Sequence, residues 1–525
     1  MVNYIGLCNS ILKENGPLLG SELCQYMSIA GIKPNNARQI LYRLRNSGKL
    51  HSTAPINFGN NQFIYFLPGH NLIKKIVDVI PDNRESLYRI YQTLLYQDGF
   101  LFWPEFVKVS SAPIESTPGH KEKSAAMVFD ELRALGLVKS LSHFNQTPVV
   151  IAEPALVPNV DASEARMFKR KEDALITEQL SKDLLKWLER INIAGWNSTH
   201  YHKIEDDAPG LNRYFWDAHG FSYVWGLYTS EKTEDLLKPP KKKKGSLILI
   251  ESIITRPIRL YDIASFISRL QTQYGPIRMN TNYRIIPICF MNSIDRDALE
   301  LARTKGIILI SIAEVFGTRI FEVLDTVRKQ DPRNVDPDAL AKVLAAADQS
   351  GQDGKVGAMK GYLFNLLVAS VFNSFGWKPG IGVKYEYEGK KCECDVVAIE
   401  EQEDIMIVCE CKGYNSDSVI PLGNDENEPD SVKRFFERTI PIVRNASRKE
   451  VFPVFITSAT FSPEAEQYLQ KLNESKRIKN LRETLDQFPH NIFYDNTTLI
   501  NLLRKKKALS THRQIIKEFY TTRKS

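Results

Sequence analysis

The residues best suited to chemistry lie in two neighbouring hydrophobic segments near residue 400. The first segment, CECDVVAIE, contains Asp395, and the second, IMIVCECKGY, contains Glu410 and Lys412. Side chains alternate between the two faces of a strand, so Glu410 and Lys412 point the same way, and a neighbouring strand can bring Asp395 beside them. Carboxylates are hard oxygen ligands for Mg²⁺, and a bound metal with an ammonium group nearby suits phosphodiester hydrolysis. The spacing therefore predicts a phosphodiester-hydrolysing site.

The order of elements around these residues resembles the PD-(D/E)XK nuclease superfamily and, within it, the catalytic domain of Mrr-type restriction enzymes. The helix GYLFNLLVASVFNSFGW, the strands CECDVVAIE and IMIVCECK, and the strand and helix VFITSATFSPEAEQYLQKL stand in that family's order, within residues 355–475. The resemblance implies that Asp395 and Glu410 bind Mg²⁺, with Mn²⁺ as an alternative. It also implies that Lys412 is the catalytic lysine and that the backbone carbonyl of Cys411 is a candidate further ligand.

One position departs from the family pattern. Many relatives carry a glutamate on the first helix in a GxxFE pattern, where this chain has GYLFN and ends the pattern on Asn365. An asparagine cannot supply that anionic ligand. Glu393 lies two residues before Asp395, on the same strand face, and could take over the role. The alternative for Glu393 is an ordinary surface glutamate.

Four of the seven cysteines flank the candidate residues, at Cys392, Cys394, Cys409 and Cys411. Such pairs invite comparison with zinc or iron–sulfur sites. Strand alternation places all four on the face opposite the catalytic residues, which favours packing as small hydrophobic side chains. Seven cysteines are too few, and of the wrong parity, for a closed disulfide framework, so we expect a reducing compartment.

Residues 165–330 have a second α/β pattern that looks like a degenerate copy of the same domain. Asp217 precedes a predicted strand, Glu251 lies in the strand LILIESI, and Ile253 stands at the position that Lys412 holds in the C-terminal segment. Without that cation, hydrolysis by this domain is not expected. An unrelated α/β domain is the alternative, because short strand patterns are ambiguous.

The chain before residue 150 predicts two units of the same type, over residues 1–70 and 71–150. In each unit the hydrophobic spacing predicts short helices followed by strands. This order resembles a winged helix, in which the third helix enters the major groove of DNA. In the first unit this helix and the turn after it carry the basic residues Arg38, Arg43, Arg45 and Lys49. We predict that they bind double-stranded DNA, although winged helices also serve as protein-docking modules.

The composition is that of a soluble, multidomain globular protein. The chain has 525 residues, 43% hydrophobic and 25% charged, and a formal net charge of +7. The basic excess lies near the end, where residues 476–525 are predicted to form a basic extension. No apolar run reaches the 18 or more residues of a membrane span, and the first residues lack a signal-peptide pattern, so we expect a cytoplasmic protein with no membrane partner. No phosphate-binding loop is found, so any DNA translocation would need a helicase or ATPase subunit.

The fold class predicted from these patterns is multidomain α/β. It comprises two winged-helix units, a degenerate restriction-endonuclease-like domain and a C-terminal PD-(D/E)XK domain with a mixed sheet flanked by helices. The predicted function is a Mg²⁺-dependent DNA endonuclease, and the resemblance implies a role in restriction or antiviral defence. A homodimer is expected, because cutting both strands needs two active sites. The alternative is a non-catalytic DNA-binding or assembly protein with an inactivated nuclease fold.

Overall fold

The protein is a mixed α/β chain in which helices alternate with several separate sheets. Among the residues described, no helix combines the length and the apolar character needed to cross a bilayer. The computed structural model describes residues 3–116, 122–144, 147–202, 211–224, 229–230, 243–279, 284–331, 333–349, 357–400, 404–485 and 488–521.

The first N-terminal unit, residues 3–70, consists of three helices and a small antiparallel sheet. Asn3 caps the first helix by accepting a hydrogen bond from the amide of Gly6 at 3.0 Å, and Pro34 begins the third helix. The strand order is β1-β3-β2. The elements are α1 (Tyr4–Asn15), β1 (Leu18–Leu19), α2 (Gly20–Ile29), α3 (Pro34–Asn46), β2 (His51–Ser52) and β3 (Ile64–Phe66).

The second N-terminal unit, residues 71–163, repeats this order after one additional helix. Helix, strand, two helices and a hairpin follow one another in both units, and the sheet order β4-β6-β5 is equivalent to that of the first unit. The elements are α4 (Leu72–Asn83), α5 (Glu85–Tyr96), β4 (Phe100–Phe102), α6 (Trp103–Ser110), α7 (Ala125–Ala134), β5 (Ser142–Phe144) and β6 (Thr147–Ile151). The predicted repeat of element order is therefore present.

The middle unit, residues 164–349, is built on a five-stranded mixed sheet with the order β13-β12-β11-β8-β7. Its long first helix packs on one side of the sheet. The elements are α8 (Glu164–Arg190), β7 (His200–Tyr201), β8 (Ala218–Ser222), β9 (Thr229–Ser230), β10 (Lys243–Lys244), β11 (Ser246–Ile253), α9 (Leu260–Met279), β12 (Ile285–Met291), α10 (Arg296–Thr304), β13 (Ile308–Ser311), α11 (Ile312–Phe316), α12 (Ile320–Val327) and α13 (Pro337–Gln349).

The C-terminal unit, residues 357–521, contains the second five-stranded mixed sheet, with the order β14-β15-β16-β18-β20. The elements are α14 (Gly357–Ser374), β14 (Lys378–Tyr387), β15 (Lys390–Ile399), β16 (Ile405–Lys412), β17 (Val419–Ile420), α15 (Ile440–Ala446), β18 (Glu450–Thr457), β19 (Thr460–Phe461), α16 (Pro463–Asn473), α17 (Lys476–Glu483), β20 (Phe493–Tyr494), α18 (Asn496–Arg504) and α19 (Ser510–Ile515).

The two five-stranded sheets have the same strand directions. In each sheet the first three strands along the chain pair antiparallel, and the last three along the chain, β11, β12 and β13 in one sheet and β16, β18 and β20 in the other, pair parallel. Each sheet is also preceded by a long helix, α8 in one unit and α14 in the other. This shared topology agrees with the prediction that the middle unit copies the C-terminal one, while the nuclease character of either unit stays a prediction.

The first helices of the two units, α8 and α14, join them into one hydrophobic core. Leu180 and Leu184 of α8, Ile250 of β11 and Leu367 of α14 belong to the same buried cluster. Asp183 of α8 accepts hydrogen bonds from the first amides of α14, Ala358 at 2.9 Å and Met359 at 3.1 Å. A carboxylate at a helix N-terminus satisfies otherwise unpaired amides and opposes the helix dipole, so α8 fixes where α14 begins.

The segment predicted as a basic extension, residues 476–525, is instead part of the C-terminal unit as far as it is described. Strand β20 pairs with β18, and Tyr494, Leu503 and Ile516 are buried in the core shared with α14. The lysines and arginines of this segment alternate with leucine and isoleucine at helical spacing, a pattern that a count of net charge does not detect. The basic side chains therefore lie on one face of helices whose other face is buried.

Candidate active site

Two adjacent strands bring the predicted carboxylates together where their ladder ends. Strands β15 and β16 pair from Ile399 opposite Met406 to Val396 opposite Cys409. One residue further on, the side chain of Asp395 accepts a hydrogen bond from the backbone amide of Cys411 at 2.8 Å. The carboxylate thus pairs with an amide of the neighbouring strand, which places Asp395 beside Glu410.

Lys412 lies at the end of β16 and contacts two carboxylates. Its Nζ is 2.9 Å from Oε1 of Glu410 and 2.9 Å from Oδ1 of Asp430. The alternation of strand side chains predicted the first contact. Asp430 was not predicted, because it lies in an acidic loop where no spacing distinguishes it from its neighbours. It adopts a left-handed backbone with φ of 57°, a conformation that is uncommon for residues other than glycine.

The electrostatics of the site reflect an excess of negative charge. Burial of its carboxyl, with Glu410 beside it, raises the pKa of Asp395 to about 7. Burial alone would lower the pKa of Lys412, but the carboxylates of Glu410, Asp395 and Asp430 outweigh it and hold that pKa well above its usual value. The ammonium group therefore stays charged at neutral pH, in contact with Glu410 and Asp430 and attracted at longer range by Asp395.

Asn365 lies on α14, at the position for which the resemblance predicted a glutamate. Its Nδ2 is 3.5 Å from Oδ1 of Asp395, so the amide faces the site as a weak donor to the carboxylate and adds no negative charge. Glu393 is half-buried on β15, opposite Lys384 of β14, and contributes weakly to the raised pKa of Asp395, after burial and Glu410. Glu393 therefore lies near enough to act on Asp395 electrostatically.

The cysteines occupy the other face of the strands, as alternation predicts. Cys394, Cys409 and Cys411 are buried in the core, and the Sγ atoms of Cys409 and Cys411 are 3.5 Å apart. Burial raises the pKa of the Cys409 and Cys411 thiols, which keeps them neutral. These features fit thiols that pack as small hydrophobic groups.

The middle unit contains the same carboxylate pair in the same register. Asp217 lies one residue before Ala218, which pairs with Ile250, just as Asp395 lies one residue before Val396, which pairs with Cys409. The side chain of Asp217 accepts a hydrogen bond from the amide of Ser252 at 2.7 Å, and Ser252 follows Glu251 as Cys411 follows Glu410. The two sheets therefore build equivalent Asp–Glu pairs.

The premise that the middle pair lacks a cation is wrong. Ile253 is buried in a hydrophobic cluster, as its sequence position suggests, but Lys108 of α6 reaches the pair from the second N-terminal unit. Its Nζ is 2.7 Å from Asp217 and 2.7 Å from Glu251. Arg269 of α9 contacts the other oxygen of Glu251 at 2.6 Å. Neither partner was predicted, because Lys108 lies 109 residues before Asp217 in another unit and Arg269 reaches Glu251 from a helix and not from a neighbouring strand position.

The basic residues of the first N-terminal unit do not form one uniform surface. Arg38, Arg43 and Lys49 are exposed, whereas the guanidinium of Arg45 packs over the ring of Phe63 at 4.5 Å. At about 100° per residue, Arg38 and Arg45 lie on one face of α3 and Arg43 lies about 140° away. Arg45 therefore also joins the helix to the segment before β3.

Within the described parts of the chain, no group of three or more histidine, cysteine, aspartate or glutamate side chains is arranged to hold a metal ion. The candidate active site thus offers a pair of carboxylates and not a closed metal cage. Comparison of the chain with protein-family models, with curated proteins and with solved structures gave no match.

Proposed function

We propose that this chain is a Mg²⁺-dependent DNA endonuclease whose C-terminal unit hydrolyses phosphodiester bonds. The observation that supports this proposal is the meeting of Asp395, Glu410 and Lys412 at the end of one strand pair. Two carboxylates and one ammonium group beside each other suit a reaction that needs a divalent cation and a charged phosphate in contact. The resemblance to Mrr-type nucleases rests on the same residues.

The donor set fits Mg²⁺ or Mn²⁺. Mg²⁺ is usually bound by one or two carboxylates and keeps several waters for which substrate phosphates can exchange, so a closed cage is not required. Asp395 and Glu410 would hold the ion, with the carbonyl of Cys411 as a further ligand and Glu393 as an additional acid. The bound ion would acidify a water molecule and offset negative charge on the phosphate.

The side chains of the site have separate tasks in this proposal. Lys412 would position the attacking water and neutralise charge that develops on the phosphate. Asp395 must lose its proton to act as a ligand, and its pKa of about 7 means that a proton competes with the ion below neutral pH. Metal affinity should therefore rise with pH up to about 7 and level off above it.

The remaining units complete the proposal. The two N-terminal units would be winged helices that grip double-stranded DNA, and the middle unit would be a degenerate nuclease-like domain. A homodimer would supply the second active site needed to cut both strands, and a helicase or ATPase subunit would supply any translocation. The resemblance to Mrr-type enzymes favours a role in restriction or antiviral defence, and the low cysteine count favours a cytoplasmic location.

A second function is favoured by two features of the site. Asn365 replaces the helix glutamate, and Asp430 holds Lys412 by an ion pair, so the fold could serve a DNA-binding or assembly protein that has lost catalysis. The two candidates differ in what Mg²⁺ does to bound DNA.

A cleavage assay on supercoiled plasmid separates the two functions. With the full-length chain we expect nicked or linear DNA in Mg²⁺ or Mn²⁺, and intact DNA in EDTA. Protein purified in the presence of EDTA and then returned to Mg²⁺ should recover activity. DNA that is bound but stays intact in both Mg²⁺ and Mn²⁺ would favour the non-catalytic function.

The first N-terminal unit gives a prediction about DNA binding. Replacing Arg38, Arg43 and Arg45 together by alanine should weaken duplex binding and reduce the slope of log affinity against log salt by up to about 3, because each phosphate contact contributes roughly 0.9. Of the three single substitutions, Arg43→Ala should weaken duplex binding least, since Arg43 lies away from the face of α3 that carries Arg38. Fluorescence anisotropy across a salt series measures the slope. An unchanged slope in the triple variant would identify this unit as a protein-docking module.

A further inference from the structure

The middle unit differs from the C-terminal unit in what lies between its two carboxylates. Nζ of Lys108 is 2.7 Å from one oxygen of Asp217, 3.0 Å from the other, and 2.7 Å from Oε1 of Glu251. In the C-terminal unit, Lys412 contacts Glu410 but pairs on its other side with Asp430. Among the described residues of these two sites, a lysine bridges the Asp–Glu pair in the middle unit alone.

We propose that Lys108 is a built-in cation that takes the place of a divalent metal ion between Asp217 and Glu251. The pair then binds the second N-terminal unit to the middle sheet and serves no chemistry of its own. This inference goes beyond the proposed function and does not depend on cleavage by the C-terminal unit.

The oxygens of the pair are already occupied. Both oxygens of Asp217 accept from Lys108, and one of them also accepts from the amide of Ser252. Glu251 uses one oxygen for Lys108 and the other for Arg269. A metal ion would have to displace these donors, and Arg269, which is 1% exposed and also bonds the carbonyl of Phe215 at 2.7 Å, is held in place.

Charge leads to the same inference. Two carboxylates face two cations in the middle unit, so the group is neutral overall. In the C-terminal unit one cation, Lys412, contacts Glu410 and Asp430 and is also attracted by the charge of Asp395. Buried charges persist when they are paired and hydrogen-bonded, and Asp217 and Glu251 are 8% and 3% exposed. A neutral, enclosed group has little attraction for a divalent cation, and removal of Lys108 would leave one uncompensated negative charge.

Lys108 belongs to an interface that the rest of α6 continues. Just beyond it, Ser111 donates to the carbonyl of Ser265 in α9 at 3.0 Å, and Ser265 donates to the carbonyl of Val109 at 3.2 Å. The Asp–Glu pair, Lys108 and Arg269 also line part of a cavity of about 390 Å³. Ions and water therefore have space beside the pair if the lysine side chain is removed.

Metal binding by Lys108→Ala tests the proposal. Measured with Mn²⁺ alone by calorimetry and by electron paramagnetic resonance, this variant should bind one more ion per chain than wild type. The additional ion should disappear in Lys108→Ala/Asp217→Asn. Lys75→Ala is the matched control, since Lys75 pairs with a single carboxylate, Glu22, at 2.7 Å, and its loss should add no ion.

Thermal unfolding keeps the test decisive if Lys108→Ala is unstable. Mn²⁺ should raise the melting temperature of Lys108→Ala and not that of the double variant. The proposal is overturned if Lys108→Ala gains no Mn²⁺ and no Mn²⁺-dependent stability. This experiment measures the difference in bound Mn²⁺ between Lys108→Ala and wild type. If the Asp395–Glu410 pair bound no metal, the proposed function would be refuted, but this difference could still be measured.

Discussion

Replacing Lys412 or Glu410 by alanine should stop DNA cleavage. Removal of one group that stabilises charge in a transition state typically lowers the rate by about 100- to 1000-fold, and loss of a metal ligand adds to this. Glu410→Ala should also weaken Mg²⁺ binding, whereas Lys412→Ala should leave it intact, because the ammonium group is not a ligand. Single-turnover cleavage over a range of Mg²⁺ concentrations separates the two effects.

Matched controls exist in the same sheet. Lys390 is exposed at the start of β15, and Glu450 is exposed at the start of β18, so Lys390→Ala and Glu450→Ala should cut at the wild-type rate. Lys412 and Glu410 are only 16% and 18% exposed, so circular dichroism and DNA binding must show that their variants are folded. If folded Lys412→Ala and Glu410→Ala cut as fast as wild type, the catalytic assignment is wrong.

The candidate site was predictable to the extent that it depends on local strand geometry. Alternation along β16 puts Glu410 and Lys412 on one face, and antiparallel pairing with β15 brings Asp395 to the same end. Asp430 could not be found in this way, because it reaches Lys412 through a loop whose path depends on tertiary contacts. The same alternation correctly predicted that the cysteines face the core.

The middle unit shows where sequence reasoning failed. Ile253 stands two residues after Glu251, where Lys412 stands after Glu410, and this spacing predicted that no cation is present. Lys108 stands 109 residues before Asp217 in a different unit, and only the packing of α6 on α9 brings it to the pair. Motif spacing describes residues on one or two strands and carries no information about a partner from another unit.

The basic composition of the last residues misled for a related reason. A charge count treats Lys505, Lys506 and Lys507 as a solvated tail, but Leu502 and Leu503 beside them are buried. A count of net charge ignores periodicity, so it does not detect the buried face of an amphipathic helix. The N-terminal repeat was easier to predict, because it depends on helix periodicity and on glycine and proline boundaries.

The buried ion pairs of the middle unit should make Glu251→Gln strongly destabilising while cleavage per folded molecule stays within a few-fold of wild type. The substitution leaves Lys108 and Arg269 facing Asp217 alone, so one buried positive charge lacks a partner. Breaking a buried pair in this way typically reduces the free energy of unfolding by about 3–5 kcal/mol. Urea unfolding followed by tryptophan fluorescence measures the change, and cleavage assayed where the variant is folded measures activity.

Glu300→Gln is the matched control for this prediction, because Glu300 lies on the surface of α10 in the same unit. It pairs with Arg296 at 3.6 Å, and both side chains are mostly exposed. An exposed pair four residues apart in a helix contributes roughly 0.3–0.5 kcal/mol, so Glu300→Gln should unfold almost as wild type does. Equal unfolding of the two variants would mean that the Asp217–Glu251 pair does not stabilise the middle unit. Loss of cleavage by folded Glu251→Gln would instead make the middle pair catalytic, because Lys108 could then act there as Lys412 is proposed to act in the C-terminal unit.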